Sequence, residues 1–313
     1  MDKIFDPDLL ITALKAYWQK QRLVSPDLMS RFHSILPLFL NKPYYWEALG
    51  EGSNGVYSQE PLYRFDAFDC VTFVNTVLAV IFADGITAFK KNMCDIRYAQ
   101  GKIDYLQRTD WFIDLDWNPR AQALGWIEDV TTMFKDKKQQ SLAVLAKTTI
   151  DKPGWYAARA LEDLHLYPPL GLAEKKARLA ALQAEGKAFD SQNSQLTYVP
   201  LNRCFDERQQ PISSFWNQMP AVSLIEIVRP NWPIKETWID PQGRTRGYGT
   251  NLNVSHVGFA LKNPKTSTFG FYHASSLGNK KVVSLDLFDY LRPYYDHNTI
   301  KGIHVELISP SCL

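Results

Sequence analysis

The chain has 313 residues, 45% of them hydrophobic, and a formal net charge of +2. That length can bury a substantial core within a single domain covering 1–313. So small a charge excludes the electrostatic footprint of a general nucleic-acid binder, and clusters such as Lys135-Asp136-Lys137-Lys138 and Glu174-Lys175-Lys176 mix signs as solvated surfaces do.

In chain order, Asp6-Pro7-Asp8 reads as a helix cap, followed by Leu9, Leu10, Leu14 and Trp18 at helical spacing. A second helix, LMSRFHSILPLFL, carries His33 as a surface or core residue, so 1–39 reads as an N-terminal helical addition. Pro43-Tyr44 follows, and then a Gly/Ser-rich connection, GEGSNGVYSQE (50–60), of the kind that often borders a site. At Asp69-Cys70 a run of Val71, Val74, Val77, Leu78 and Ile81 predicts a helix, which puts Cys70 at its N-terminus. There the unsatisfied N–H groups and the macrodipole favour an anion, so a thiolate nearer neutral pH is expected, and the same groups suit an oxyanion. The alternative is a buried, inert thiol behind an ordinary capping aspartate.

Further on, Cys94 falls in a predicted helix, and 126–195 is expected to be a mostly helical insertion. That insertion includes VTTMFKDKKQQSLAVL and an amphipathic helix at 174–188, expected to cover the sheet or act as a lid. The last third is strand-rich: 221–228, 253–261, 270–276, 281–287 and 301–308, with His304 expected in an outer strand and His297 in a polar loop. In NVSHVGFAL, alternation places Val254, His256, Gly258 and Ala260 on one face and Val257, Phe259 and Leu261 on the other. With the turn KNPKTS, a hairpin pairing 261 with 268 sets His273 directly opposite His256, with Cβ atoms roughly 5 Å apart. A one-residue slip would send the two rings to opposite faces.

A thiol at a helix start and two strand-borne imidazoles suit nucleophilic cysteine catalysis on an acyl bond. Cys70 is the expected nucleophile and His256 the general base. His273 is expected to orient His256, as the third member of a triad does. A metal hydrolase built on His256, His273 and a carboxylate lacks a His-Glu-x-x-His pattern, so neither a metal nor another cofactor is expected. The cysteines at 70, 94, 204 and 312 show no metal spacing and no dense disulfide framework. Trp117 and Trp232, and the Arg229 and RTRGYGTN (244–251) region, are candidates for lining a groove.

FDCVTFV, SHVGFAL and YHASS resemble the NlpC-type peptidases of the papain-like superfamily, and more closely their N-acetylmuramoyl-L-alanine amidase-like branch. Pro43-Tyr44 and IRYAQGKIDYLQR (96–108) match that branch's other elements, so the resemblance spans about 40–125 and 195–310. It implies an α+β, papain-like fold with the nucleophile helix packed on an antiparallel sheet. It also implies amide hydrolysis on peptidoglycan stem peptides, with muropeptides as partners and no nucleic acid. Tyr44, Asp69, Arg108, Trp117, Trp232 and Ser255 become substrate-binding candidates. Val71-Thr72 replaces the usual small Ser-Gly pair, which favours the amidase-like branch over γ-D-glutamyl-diamino acid endopeptidase, the alternative. A non-catalytic cell-wall-binding module is the alternative from another class, and acyl transfer is a variant within catalysis. No apolar run reaches the roughly 18 residues of a membrane span. The acidic start lacks the basic flank of a signal peptide. Periplasmic or exported placement therefore requires a removed signal peptide; cytoplasmic placement does not.

Overall fold

The computed structural model describes residues 7–24, 27–233, 238–239, 245–247, 249–278 and 280–309; Asp6, Cys312 and parts of the 244–251 turn lie outside them. The helices are α1 (Pro7–Val24), α2 (Leu28–Phe39), α3 (Cys70–Ile81), α4 (Ile86–Arg97), α5 (Asn118–Ala123), α6 (Lys152–Ala157), α7 (Leu172–Gly186), α8 (Leu201–Cys204), α9 (Ser213–Trp216) and α10 (Leu287–Leu291). The strands are β1 (Ile127–Asp129), β2 (Val144–Ile150), β3 (Gln192–Pro200), β4 (Val222–Pro233), β5 (Trp238–Ile239), β6 (Thr245–Arg246), β7 (Asn251–Lys262), β8 (Phe269–Ala274), β9 (Val282–Asp286) and β10 (Gly302–Ile308). One antiparallel sheet runs β2-β3-β10-β4-β7-β8-β9, with β1 also on β10, while β5 and β6 pair with each other. The class is α+β, as expected.

Both faces of this sheet are buried, and the alternation of side chains divides the apolar residues between two cores. On β4, Val222, Leu224 and Val228 join the core built with α1 to α4, whereas Ile225 and Ile227 join the core built with α8, α9 and α10. Phe259 of β7 makes ring contacts with Phe32 of α2 at 5.0 Å and Phe73 of α3 at 5.9 Å. Trp18 of α1 donates its indole N–H to the Val80 carbonyl at 3.1 Å. The N-terminal helices are thus a wall of the main core rather than an appendage.

Three expectations are corrected. The stretch 126–195 is mixed, not mostly helical: 130–145 forms a short 3-10 turn at Thr131–Met133 and then enters β2. There Ala146, Thr148 and Ile150 alternate inward against β3, so pairing overrode a weak helical pattern. Helix α7 forms as predicted but packs on α6, and its buried Leu182 sits with Trp155 and Tyr156, so it does not lie over the sheet. His304 lies in a central strand, 1% exposed, between β3 and β4.

His304 misled because β10 alternates polar with apolar residues, yet its polar side is buried in a network. His304 stands opposite Glu226, and its Nε2 lies 3.1 Å from Glu306 Oε1. Asn118 and Gln122 of α5 donate to Glu226 (3.2 Å) and Glu306 (2.8 Å). Burial alone would lower the His304 pKa, but the carboxylates of Glu226 and Glu306 overcome it and hold the ring up to about 9. Burial likewise holds the Glu226 carboxyl above its ordinary range. Both groups bind protons more tightly in the folded chain. Their stabilisation is complete below the unfolded pKa values and is lost as pH rises through the folded ones. The thermal midpoint should therefore fall between about pH 6.5 and 9, and fall less in His304→Asn; calorimetry across that range checks it, and equal slopes in the two proteins would reject the assignment.

Candidate active site

The thiol is placed by a reciprocal cap. The Asp69 carboxylate accepts from the Thr72 N–H at 2.8 Å, and the Asp69 N–H donates to Thr72 Oγ1 at 2.9 Å, so Cys70 is the first helical residue of α3. Behind it every residue from Thr72 to Ile81 is buried, which anchors the helix against β7 and β8. Cys70 itself is half-buried and borders a cavity that His256 also borders.

The two histidines meet, but not in the expected register. Leu261 pairs with Gly270, two residues beyond the expected partner, so His256 and His273 are diagonal rather than directly opposed. An even shift preserves the face, and His256 Nε2 lies 2.7 Å from His273 Nδ1. A bulge between the Ile227–His256 and Val228–Val254 pairs turns Val254 to the α3 side, correcting its expected place beside His256. Gly258 is required by close approach: a Cβ there would lie 2.8 Å from the His273 Cβ and 2.7 Å from the Phe271 ring.

Desolvation governs the charges here. Burial, then the neighbouring Asp69 carboxylate, pushes the Cys70 thiol up to about 12, only partly offset by the N–H groups of Val257 and Val71. Burial, then His273, holds His256 well below its usual range, and burial lowers His273 to about 4. The Asp69 carboxyl is itself raised to about 6 by burial. The expectation of an accessible thiolate near neutral pH is therefore corrected: the helix terminus favours the anion, but desolvation outweighs it. The resting site holds a neutral thiol and two neutral imidazoles.

Around these groups the cavity wall includes Trp46, Glu47, Asp69, Arg108, Asp110, Trp111, Trp155, Trp232 and Ser255. Of the six substrate-binding candidates, Asp69, Arg108, Trp232 and Ser255 are here. Tyr44 is buried in the main core and Trp117 is 1% exposed with its N–H on Asn75 Oδ1; neither borders the cavity, because both fill space behind α3. Arg108 is not a free cation: it grips Glu51 through two bonds of 2.6 and 2.9 Å. Arg97 donates to the carbonyls of Gly50 and Leu62, and the Tyr98 hydroxyl to Gly50. The 96–108 segment thus clamps the loop that runs up to Cys70. Sequence reading missed Trp46, Glu47, Asp110, Trp111 and Trp155. The first four sit two or three residues beyond Tyr44 and Arg108, so those motifs signal them. Glu47 adopts a left-handed φ of 50° and pairs with Arg159 at 3.3 Å, whereas no sequence signal marks Trp155. Among the described residues, no group of three or more His, Cys, Asp or Glu side chains is arranged to hold a metal ion.

Residues 35–298 match the AmiA-like family, described as N-acetylmuramoyl-L-alanine amidase-like. Among solved structures, a Legionella pneumophila protein of the DUF1460 family is 33% identical, covers 97% of this chain and 95% of its own, and superposes with a TM-score of 0.86. An N-acetylmuramoyl-L-alanine amidase from Bacteroides uniformis is 22% identical, with coverages of 90% and 98% and a TM-score of 0.55. A Bacteroides fragilis protein provisionally named a xylanase is 23% identical, with coverages of 89% and 99% and a TM-score of 0.54. At those identities the two Bacteroides likenesses are of fold alone. No curated protein sequence matches significantly.

Two outcomes are expected. Alkylation of Cys70 by iodoacetamide, followed peptide by peptide in a mass spectrometer, should keep accelerating above pH 9, because the thiol titrates far into the alkaline range. A rate plateau from acid pH upward would show a preformed thiolate. Gly258→Ala should cost about 1–3 kcal/mol of stability in denaturant titrations by over-packing, and lower kcat by displacing His273.

Proposed function

The chain belongs to the N-acetylmuramoyl-L-alanine amidase-like family, and on that premise we propose that it is a cysteine-dependent amidase cleaving the bond between N-acetylmuramic acid and the L-Ala of a peptidoglycan stem peptide. The observation that carries this reading is that Cys70 and His256 border one cavity, with the buried His273 bonded to His256 behind it. Chain order Cys, His, His, with the nucleophile helix packed on an antiparallel sheet, supports kinship with NlpC-type papain-like hydrolases.

In the reaction, His256 Nε2–H donates to His273 Nδ1 and leaves Nδ1 of His256 free to take the Cys70 proton as sulfur attacks the lactyl carbonyl carbon. Because thiol and imidazole are both neutral at rest, proton transfer accompanies attack instead of preceding it. The N–H groups at the start of α3 are the donors assigned to the developing oxyanion. The imidazolium then protonates the departing L-Ala nitrogen, the C–N bond breaks, and the muramoyl lactyl group remains as a thioester. Water, deprotonated by His256, releases it as a carboxylate and restores the thiol. On the cavity wall, Glu47 is paired with Arg159, Asp110 with Arg97 and Arg108 with Glu51, and Asp69 caps α3.

Mass spectrometry of a purified disaccharide–peptide digest tests bond and class together. The expected products are intact stem peptide and bare disaccharide, with Cys70→Ala at least about 10³-fold slower. A truncated stem still attached to sugar would instead identify a γ-D-glutamyl-diamino acid endopeptidase. Binding without products in the wild type would identify a wall-binding module.

A further inference from the structure

The hydrogen bond between His256 Nε2 and His273 Nδ1, 2.7 Å long, contains one proton, and its ownership decides whether the site can work. If His256 donates, its Nδ1 lone pair is free to receive the Cys70 proton, and the His273 proton sits on Nε2. If His273 donates, the neutral His256 carries its own proton on Nδ1 and cannot act as a base. His273 is 2% exposed, and its Nε2 is buried without a hydrogen-bond partner. A buried N–H without an acceptor is a strongly disfavoured arrangement, so this environment opposes the productive tautomer unless another group receives that N–H.

Three rings surround His273. His256 occupies the Nδ1 side. Phe271 stacks nearly parallel, at 22° and 4.7 Å between centroids, and a proton in the plane of an imidazole cannot point at a ring lying parallel to it. Tyr290 lies at 5.1 Å with its plane inclined by 62°, an orientation in which an in-plane N–H can address a π face. Asp286 holds this ring in place by capping α10, accepting from the N–H groups of Phe288 and Asp289. Phe271 at 4.8 Å and Tyr294 at 5.7 Å pack around the ring. The Tyr290 hydroxyl has no hydrogen-bond partner among the described residues, which leaves the ring as the contact.

We propose that Tyr290 is a positioning residue whose aromatic face accepts the His273 Nε2–H, and so selects the tautomer in which His256 is the base. It acts through His273. The proposal rests on the amidase reading only for its kinetic consequence.

Nitrogen-15 imidazole NMR near neutral pH, without substrate, reads the tautomer directly in wild type, Tyr290→Phe and Tyr290→Leu. The wild type and Tyr290→Phe, which keeps a ring face, are expected to hold the His273 proton on Nε2. In Tyr290→Leu it should move toward Nδ1, with kcat lowered about three- to tenfold and KM little changed. A wild-type His273 protonated on Nδ1 overturns the proposal even if the leucine variant does not fold, as does a leucine variant with the wild-type tautomer. An inactive wild type would overturn the proposed reaction while leaving the spectra to judge Tyr290.

Discussion

The site depends on a single hydrogen bond between imidazoles on neighbouring strands, and that bond exists because β7 and β8 pair over only part of their length. Their ladder joins Phe259–Lys262 to Phe269–Tyr272 and extends no further toward His256. A bulge in β7 beside His256 then re-aims the strand, and the absence of a side chain at Gly258 lets the second imidazole lie close. Diagonal neighbours stand farther apart than directly opposed ones, at a separation that ring side chains can still span.

Desolvation is the second organising force, and it works against simple expectations from the helix dipole. The N-terminus of α3 presents N–H groups to Cys70, but the cavity is aromatic and the adjacent carboxyl is buried with the thiol. Keeping the thiol and both imidazoles neutral avoids uncompensated buried charges on them. The loop that shapes the cavity is held by charge instead: the Arg108–Glu51 pair is buried and doubly bonded, and Arg97 and Tyr98 fasten the same loop through its carbonyls. Doubly bonded buried pairs such as Arg108–Glu51 rigidify a site.

Beneath the other end of the sheet, Glu226, His304, Glu306 and Asn118 form a polar layer inside an apolar core, and Gln122 bonds to Glu306 from the surface. It links α5 to the two central strands β4 and β10. Its members fill inward positions that apolar residues fill elsewhere, so the sheet face is continuous in packing but not in polarity. Removing one partner would strand the others, which makes the layer a specific fastening as well as a burden.

Local sequence was sufficient for the pieces. The 69–81 segment carries its own cap and apolar stripe, the strands of the last third are β-branched and alternating, and the order Cys70, His256, His273 with the 96–108 motif marked the family. An expected face for the two histidines survived an incorrect register because side-chain direction has period two and the error was even. What only the tertiary structure decided lies in long-range packing. It drew 130–145 into a strand, sent Tyr44 and Trp117 into the core, put Glu47 and Asp110 on the cavity wall, and placed Tyr290 against His273. Periodicity reports which residues share a face; it does not report which other element covers that face, and burial by a distant element is what sets both the charge and the role of each polar group.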